Sequence, residues 1–267
     1  VSGMIKWMSL IVLIVSLPSC LTLSLGSTAP VNPIQPAVGH YSNGQLRFKG
    51  EYYNGYRHGT WTDWNGNGDT ISIVNYDQGE LSGSFKIWEL EKSYDGNSAS
   101  TPDYAMDYGE IIIKEGYYLD GNINGGFKVS YSSGRLKESG SYNKGRKDGE
   151  WTKLNSTGDT LHIINYSLGD RKGPFTIWSY YSHEMLNDAM RNIVKIKHRG
   201  LYKFNRLNGN YVESFPNGTV KCAGAYIEDN REGDWTWYFE TGIIKETAVY
   251  KSGQLISSEK FEDNNGN

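Results

Sequence analysis

A repeat with a period of 24 residues is the feature that most constrains the fold of this chain. Tyrosines recur at steps of 24, 42, 24, 24, 36, 24 and 24 residues, at Tyr52, Tyr76, Tyr118, Tyr142, Tyr166, Tyr202, Tyr226 and Tyr250. Around them the unit is G-x-Y-x-x-G-x-x-x-G-x-(aromatic), and the two long steps contain insertions. A unit this short cannot bury a core alone, so the units must be stabilised by stacking in series.

A longer duplication encloses the short unit. Residues 41–88 and 131–178 align without a gap and are identical at 22 of 48 positions. Glycine is 32 of 267 residues, above its usual share of about 7%. The chain therefore consists largely of duplicated, turn-rich units rather than an ordinary helical domain.

Each unit has the pattern of a β-hairpin. Trp61 is followed seven residues later by Gly68, and Trp235 in the same way by Gly242, in Asn-Gly or Thr-Gly pairs that suit tight turns. Aromatic and β-branched runs between such turns indicate strands. The motif positions that we expect to hold the repeats together are Gly50, Tyr52, Gly59, Trp61, Gly116, Tyr118, Gly125, Phe127, Gly140, Tyr142, Gly149, Trp151, Gly209, Gly233 and Trp235.

These Tyr, Gly and Trp/Phe positions resemble MORN repeats, in the bacterial variant described as antitoxin-like. The resemblance covers roughly residues 41 to 255 and is carried by the repetition, since one G-x-Y-x-x-G is a weak motif. It implies an all-β fold, an elongated, twisted antiparallel meander of stacked hairpins over residues 40–260. Asn205 and Asp229 stand where other units carry the inner glycine. The pattern therefore leaves the turn geometry of those two units open.

Residues 1–19 have the pattern of a signal peptide. One cation, Lys6, precedes an apolar run from Leu10 to Leu17, which is shorter than the roughly 20 residues that span a bilayer. The ending Leu17-Pro18-Ser19-Cys20 resembles the lipobox of bacterial lipoproteins, with Pro18 as a departure. In that family the cysteine is acylated and becomes the N-terminus.

The lipobox resemblance implies lipidation at Cys20 and a location in the cell envelope, anchored to a bacterial membrane and facing away from the cytoplasm. An ordinary cleaved signal peptide and an uncleaved anchor extending through Leu25 are the two alternatives. Residues 20–39 carry three prolines and no charge, which predicts a lipid-anchored tether. Residues 261–267 are expected to form a flexible tail.

Two insertions interrupt the array at equivalent places of the duplication. Residues 93–108 are polar and predict a long loop, and residues 182–191 predict a short helix with Met185, Leu186, Ala189 and Met190 on one face. Loops on a rigid scaffold often carry function, although tolerated insertion explains them equally well.

The sequence contains no catalytic or cofactor-binding motif, and no enzyme, cofactor or metal site is predicted. Asp63-x-Asn65-x-Asn67-Gly68-Asp69 begins like a calcium loop, but Val74 stands where the bidentate glutamate belongs, so we expect a hairpin turn. Cys222 is expected to be a buried thiol, with a bridge to Cys20 as the alternative. The net charge of −3 gives no case for nucleic acid.

These patterns predict a non-enzymatic envelope lipoprotein whose repeat scaffold binds another protein and which reaches the membrane through its N-terminal lipid. One alternative is a module that binds glycan or cell wall through exposed Tyr and Trp rows. Another is an antitoxin-like protein that neutralises a partner toxin, a role normally played in the cytoplasm. We expect the repeated Trp61, Trp151 and Trp235 to pack between repeats rather than contact a ligand.

Overall fold

The structure is a computed structural model that describes residues 34–91, 110–182 and 193–262, all in strands and turns. The strands are β1 Ile34–His40, β2 Leu46–Tyr53, β3 Tyr56–Trp64, β4 Thr70–Asp77, β5 Glu80–Leu90, β6 Ile111–Leu119, β7 Asn122–Ile123, β8 Gly125–Tyr131, β9 Leu136–Asn143, β10 Arg146–Leu154, β11 Thr160–Ser167, β12 Asp170–Ser182, β13 Ile193–Lys203, β14 Arg206–Leu207, β15 Gly209–Ser214, β16 Val220–Ile227, β17 Asn230–Tyr238, β18 Ile244–Lys251 and β19 Gln254–Lys260.

The strands form one antiparallel sheet in which each pairs with the next along the chain. The short β7 and β14 precede β8 and β15, which continue the pairing with β6 and β13. Among the described residues, β1 pairs only with β2 and β19 only with β18, so the sheet is open at both ends. The predicted all-β hairpin meander is confirmed.

The predicted tether is too long at its C-terminal end. The composition predicts a tether up to residue 39, but Ile34–His40 form β1 and pair with β2, with Ala37 opposite Gly50. Proline misled the prediction because Pro36 lacks a backbone N–H, yet an edge strand tolerates that loss. The repeat sheet therefore begins at residue 34.

Turns of two kinds follow the two borders of the sheet. Along one border, five-residue turns place Gly68 and Gly242 at φ of 92° and 89°, as their spacing from the aromatic residues predicts. The calcium-like segment is one of these hairpin turns: the side-chain Oδ1 of Asn65 accepts hydrogen bonds from the backbone N–H groups of Asn67 and Asp69.

Along the other border, each turn bonds to the turn of the preceding unit. The N–H of Gly145 donates to the carbonyl of Ile123, and that of Gly169 donates to the carbonyl of Lys147. Asn205 and Asp229, the two departures, adopt φ of 70° and 67° and make the equivalent backbone bonds. The turn geometry is therefore kept in both units.

Several predicted features lie outside the described residues. They are the signal peptide over 1–19, Cys20 with the tether up to residue 33, the insertion over 93–108, the helix predicted within 182–191 apart from the backbone of Ser182, and residues 263–267. The part of the chain that is described contains no helix long and apolar enough to cross a membrane.

Candidate functional site

The core of the sheet is one row of side chains on a single face. The registers place Trp61 opposite Val74, Val74 opposite Phe85, and Phe85 opposite Gly116. The row continues in the second half of the duplication through Trp151, Ile164, Phe175 and Gly200. We call the face that carries this row the core face and the opposite one the outer face.

Aromatic rings on the core face lie directly on glycines of the neighbouring strand. A Cβ atom added to Gly50, Gly140 or Gly224 would stand 2.3 Å from the indole of Trp61, Trp151 or Trp235. Gly116 is similarly confined, 2.9 Å from the ring of Phe85. The first glycine of each motif is therefore required because a ring occupies the space of its side chain.

The third glycine of the motif, four residues after the inner one, has a different role. Gly149 has a φ of 75° and lies where the register between β9 and β10 shifts, at a β-bulge. Gly59, Gly125, Gly209 and Gly233 also have positive φ. A glycine adopts this conformation without the steric cost that other residues meet.

Tyrosines and cations surround the buried indoles. Tyr142 meets the Trp151 ring edge-on at a centroid distance of 4.9 Å, and Tyr52 meets Trp61 at 5.1 Å. The Lys147 ammonium lies 3.8 Å from the Trp151 ring centroid, and the Arg57 guanidinium 4.2 Å from that of Trp61. Such contacts stabilise a desolvated pair by about 2 kcal/mol.

The three repeated tryptophans belong to the core. Trp61, Trp151 and Trp235 are 0%, 1% and 1% exposed. Trp237 lies on the same face as Trp235 and stacks with it, with ring centroids 5.7 Å apart. No indole face of the three buried tryptophans is open to a ligand, which removes them from any glycan-contacting row.

A polar cluster lies next to the core row on β13, β15 and β16. Glu213 stands opposite both His198 and Cys222, and its Oε1 is 2.6 Å from the Lys221 ammonium. The Nδ1 of His198 is 2.7 Å from the Tyr211 hydroxyl oxygen. Burial lowers the pKa of His198 and, with the Glu213 carboxylate, raises the pKa of the Cys222 thiol to about 12.

This cluster provides a neutral imidazole and a protonated thiol. The thiol is 4% exposed, and a thiol that stays protonated is a poor nucleophile and a poor metal ligand. Across the described residues, no group of three or more His, Cys, Asp or Glu side chains is arranged to hold a metal ion. Cys222 is a free, buried thiol, as its sequence context predicts.

Sequence reasoning missed a cation at the fifth position after four of the eight motif tyrosines. Arg57, Lys147, Arg171 and Arg231 occupy it, and each lies over one or more core-face rings. It also missed Gly200 and Gly224, which repeat the role of Gly116 and Gly140. Both signals are visible once the spacing is measured from the motif tyrosines.

Comparison with known families agrees with the repeat pattern. The family of the MORN repeat variant matches residues 231–252, which span β17 and β18. This match supports a MORN-repeat protein, and the hairpin sheet is the architecture that the resemblance implied.

Wider comparisons add little. No curated protein matches the chain. The solved structure titled "Crystal Structure of TcdB2-TccC3-Cdc42" is similar over 82% of this chain and 14% of that chain, at 11% identity and a TM-score of 0.16. The chain thus spans about one seventh of that structure's length, and a TM-score this low does not establish a shared fold.

Proposed function

We propose that this protein is a non-enzymatic bacterial envelope lipoprotein whose MORN-repeat sheet is a scaffold for binding another protein. The observation that carries the proposal is the contrast between the two faces of the duplicated sheet. On the core face, Trp61 and Phe85 recur as Trp151 and Phe175, with glycine at both Gly116 and Gly200.

The outer face differs between the two halves. Ile113 stands opposite Trp88 in the first half, and Lys197 stands opposite Trp178 in the second. Side chains that packing does not dictate are available for recognition, and functional surfaces are grafted onto repeat scaffolds in this way. An enzyme is disfavoured because the Cys222 thiol beside Glu213 is buried in the core face and stays protonated.

Metabolic labelling with a palmitate analogue tests the lipoprotein part of the proposal. The native chain and Cys20→Ser are expressed in a bacterial host, and we expect label only in the native chain. Absence of label from both would contradict lipidation and would favour the cytoplasmic, antitoxin-like alternative.

Site-specific photo-cross-linking tests the scaffold part. A cross-linking amino acid is placed at Thr176 or Thr236 on the outer face and, as a control, at Tyr142 on the core face. We expect a discrete product with one other protein from an outer-face position and none from Tyr142. If no outer-face position cross-links to a protein, the scaffold role is wrong.

A further inference from the structure

Strands β12 to β14 carry a concentration of positive charge. Residues 170–182 and 193–207 contain seven Lys or Arg residues and one acidic residue, Asp170, whereas the whole chain has 27 Lys and Arg against 30 Asp and Glu. The remaining 20 cations are thus outnumbered by 29 acids. This part of the sheet is positive in a chain that is negative overall.

The charges on β13 lie on one side of the strand. The side chains of β13 that carry charge are spaced by even numbers of residues, so they project from the outer face of the sheet. They are Lys195, Lys197, Arg199 and Lys203. Lys197 stands opposite Trp178 and Arg199 opposite Thr176. Alternate residues of a strand are about 6.6 to 6.8 Å apart, which sets the spacing of neighbouring charges. We call these four residues and Lys172 the basic band.

Within the described residues, four of the five members of the basic band have no acidic partner. Lys195 is 3.9 Å from Asp159. In the described part of the chain, no carboxylate lies within salt-bridge distance of Lys172, Lys197, Arg199 or Lys203. Lys172, Arg199 and Lys203 are exposed and Lys197 is half-buried. Like charges placed close together repel one another, and ion pairs within the described residues do not offset this repulsion for Lys172, Lys197, Arg199 and Lys203.

The duplicated half of the sheet is an internal control. Gly116 and Gly200 make the same contacts with flanking aromatic rings, which aligns β6 with β13. At the positions of Lys195, Lys197, Arg199, Leu201 and Lys203, β6 carries Ile111, Ile113, Glu115, Tyr117 and Leu119. The Glu115 carboxylate is 3.2 Å from Lys86 and 2.9 Å from Lys128, whereas Arg199 has no such neighbour. The same backbone therefore forms without the basic side chains.

We infer that the basic band is a docking site for an extended acidic segment of a protein partner, with carboxylates at alternate residues. An extended segment lying along β13 presents every second side chain to the sheet at the same spacing of about 6.6 to 6.8 Å. Its carboxylates therefore meet Lys197 and Arg199 in succession, and Lys203 after one position that falls over Leu201. This inference rests on the proposed scaffold function and names the chemistry of its partner.

A carboxylate partner fits better than a base or a sugar. Stacking of bases or sugars needs an open aromatic face, but the ammonium groups of Lys195 and Lys197 lie 5.7 and 5.5 Å from the Trp178 ring centroid. Lys172 lies 5.6 Å from the Phe204 ring in the same manner. These rings position the cations, and the ammonium groups of Lys172 and Lys197 face anions rather than stacked bases or sugars.

Fluorescence anisotropy with a defined peptide tests the inference. The probe is a labelled ten-residue peptide of alternating Thr and Glu, and its control has the same composition with the five Glu in one block. The full chain is kept in a non-ionic detergent at 50 mM salt. We expect the alternating peptide to bind more tightly than the block peptide and to be released at 500 mM salt.

Two matched triple variants locate the site. Lys197→Gln, Arg199→Gln and Lys203→Gln together should weaken binding about tenfold, since each exposed ion pair contributes modestly. Lys49→Gln, Lys144→Gln and Lys251→Gln remove the same charge from exposed positions elsewhere and should change the affinity less than twofold. Unfolding temperatures of both variants, expected within a few degrees of the parent, show that the sheet is intact.

Three results would overturn the inference. They are equal losses in the two triple variants, equal affinity for the two peptides, or binding of inorganic polyphosphate or anionic vesicles without binding of the peptide. If the peptide fails while outer-face positions still cross-link to a protein, the basic band is not the site but the scaffold function stands. If both fail, the proposed function fails with it.

Discussion

The indole N–H of Trp151 donates a 3.0 Å hydrogen bond to the backbone carbonyl oxygen of Ser141, the residue that follows the glycine beneath its ring. Trp61 bonds to Glu51 and Trp235 to Ala225 in the same way, both at 3.1 Å. Each bond spans ten residues and joins the two strands at the bulge. The indole thus fills the space above a glycine and satisfies a carbonyl in the shifted segment of the ladder.

Replacing Trp151 with phenylalanine should separate these two contributions. Phe85 and Phe127 occupy equivalent positions, so the smaller ring fits, but the Ser141 carbonyl loses its donor. We expect Trp151→Phe to lower the free energy of unfolding by about 1 to 3 kcal/mol and Trp151→Ala by about 3 to 5 kcal/mol. Urea unfolding followed by circular dichroism measures both, and a Phe variant as stable as the parent would show that the hydrogen bond contributes nothing.

Gly140 and Gly126 offer a matched test of the requirement for glycine. A Cβ on Gly140 would stand 2.3 Å from the Trp151 ring, whereas one on Gly126 has no neighbour within 4 Å, and neither glycine has a positive φ. We expect Gly140→Ala to destabilise the sheet by about 3 kcal/mol because the indole must move, and Gly126→Ala to be nearly neutral. Similar unfolding temperatures for the two variants would contradict the packing of ring on glycine.

Substitution of Asn205 tests how a residue other than glycine is tolerated at a turn position with positive φ. Its side-chain Oδ1 accepts a 2.8 Å hydrogen bond from the Arg171 N–H, and its Nδ2 donates to Asp170 at 2.6 Å. Alanine loses both bonds and keeps a side chain at a φ of 70°, whereas glycine loses only the bonds. Asn205→Ala should therefore be less stable than Asn205→Gly by about 1 kcal/mol and should unfold at a lower temperature. The reverse order would mean that φ does not govern this turn.

Features that recur in every repeat could be predicted from the sequence. The spacing of Trp61 and Gly68 predicts a hairpin, and its repetition predicts the sheet and the burial of Trp61, because a core must recur where the units stack. Spacing could not distinguish the roles of Gly50 and Gly59. Gly50 must lack a side chain because the Trp61 ring occupies that space, whereas Gly59 must adopt a positive φ. That distinction depends on the β-bulge, which no local sequence pattern predicts.

Features that depend on pairing across the sheet were missed. Pro36 suggested a tether because proline opposes strand formation, yet its place at the edge makes the missing N–H harmless. The cations Arg57 and Lys147 looked like ordinary surface charges until the register placed them over rings. The basic band was missed because its concentration of positive charge on one face becomes apparent only when β13 is compared with β6.

The buried thiol gives a prediction about reactivity. The Cys222 pKa of about 12 lies above the value of 9.0 for a free thiol, so the thiol stays protonated in the folded protein near neutral pH. Stability from this protonated form is present below pH 9 and is lost as the pH rises towards 12. We expect iodoacetamide at pH 8 to leave Cys222 unmodified in the folded chain and to alkylate it fully in urea, with mass spectrometry locating the adduct. Rapid alkylation without urea would show that the core face opens readily around β16.

Two half-buried histidines on the core face make stability depend on pH. Burial lowers the pKa of His198, against the opposing pull of the Glu213 carboxylate, and burial with nearby Lys153 lowers that of His162. An imidazole with a lowered pKa binds its proton more readily in the unfolded chain, so stability is present above pH 6.5 and falls as the pH drops below it. We expect the unfolding temperature of the native chain to fall between pH 7.5 and 5.5. His198→Gln or His162→Gln should flatten that fall and the double variant should flatten it further, because glutamine does not titrate. If the double variant keeps the full slope of the native chain, the acid sensitivity arises elsewhere in the sheet and the two imidazoles are not its source.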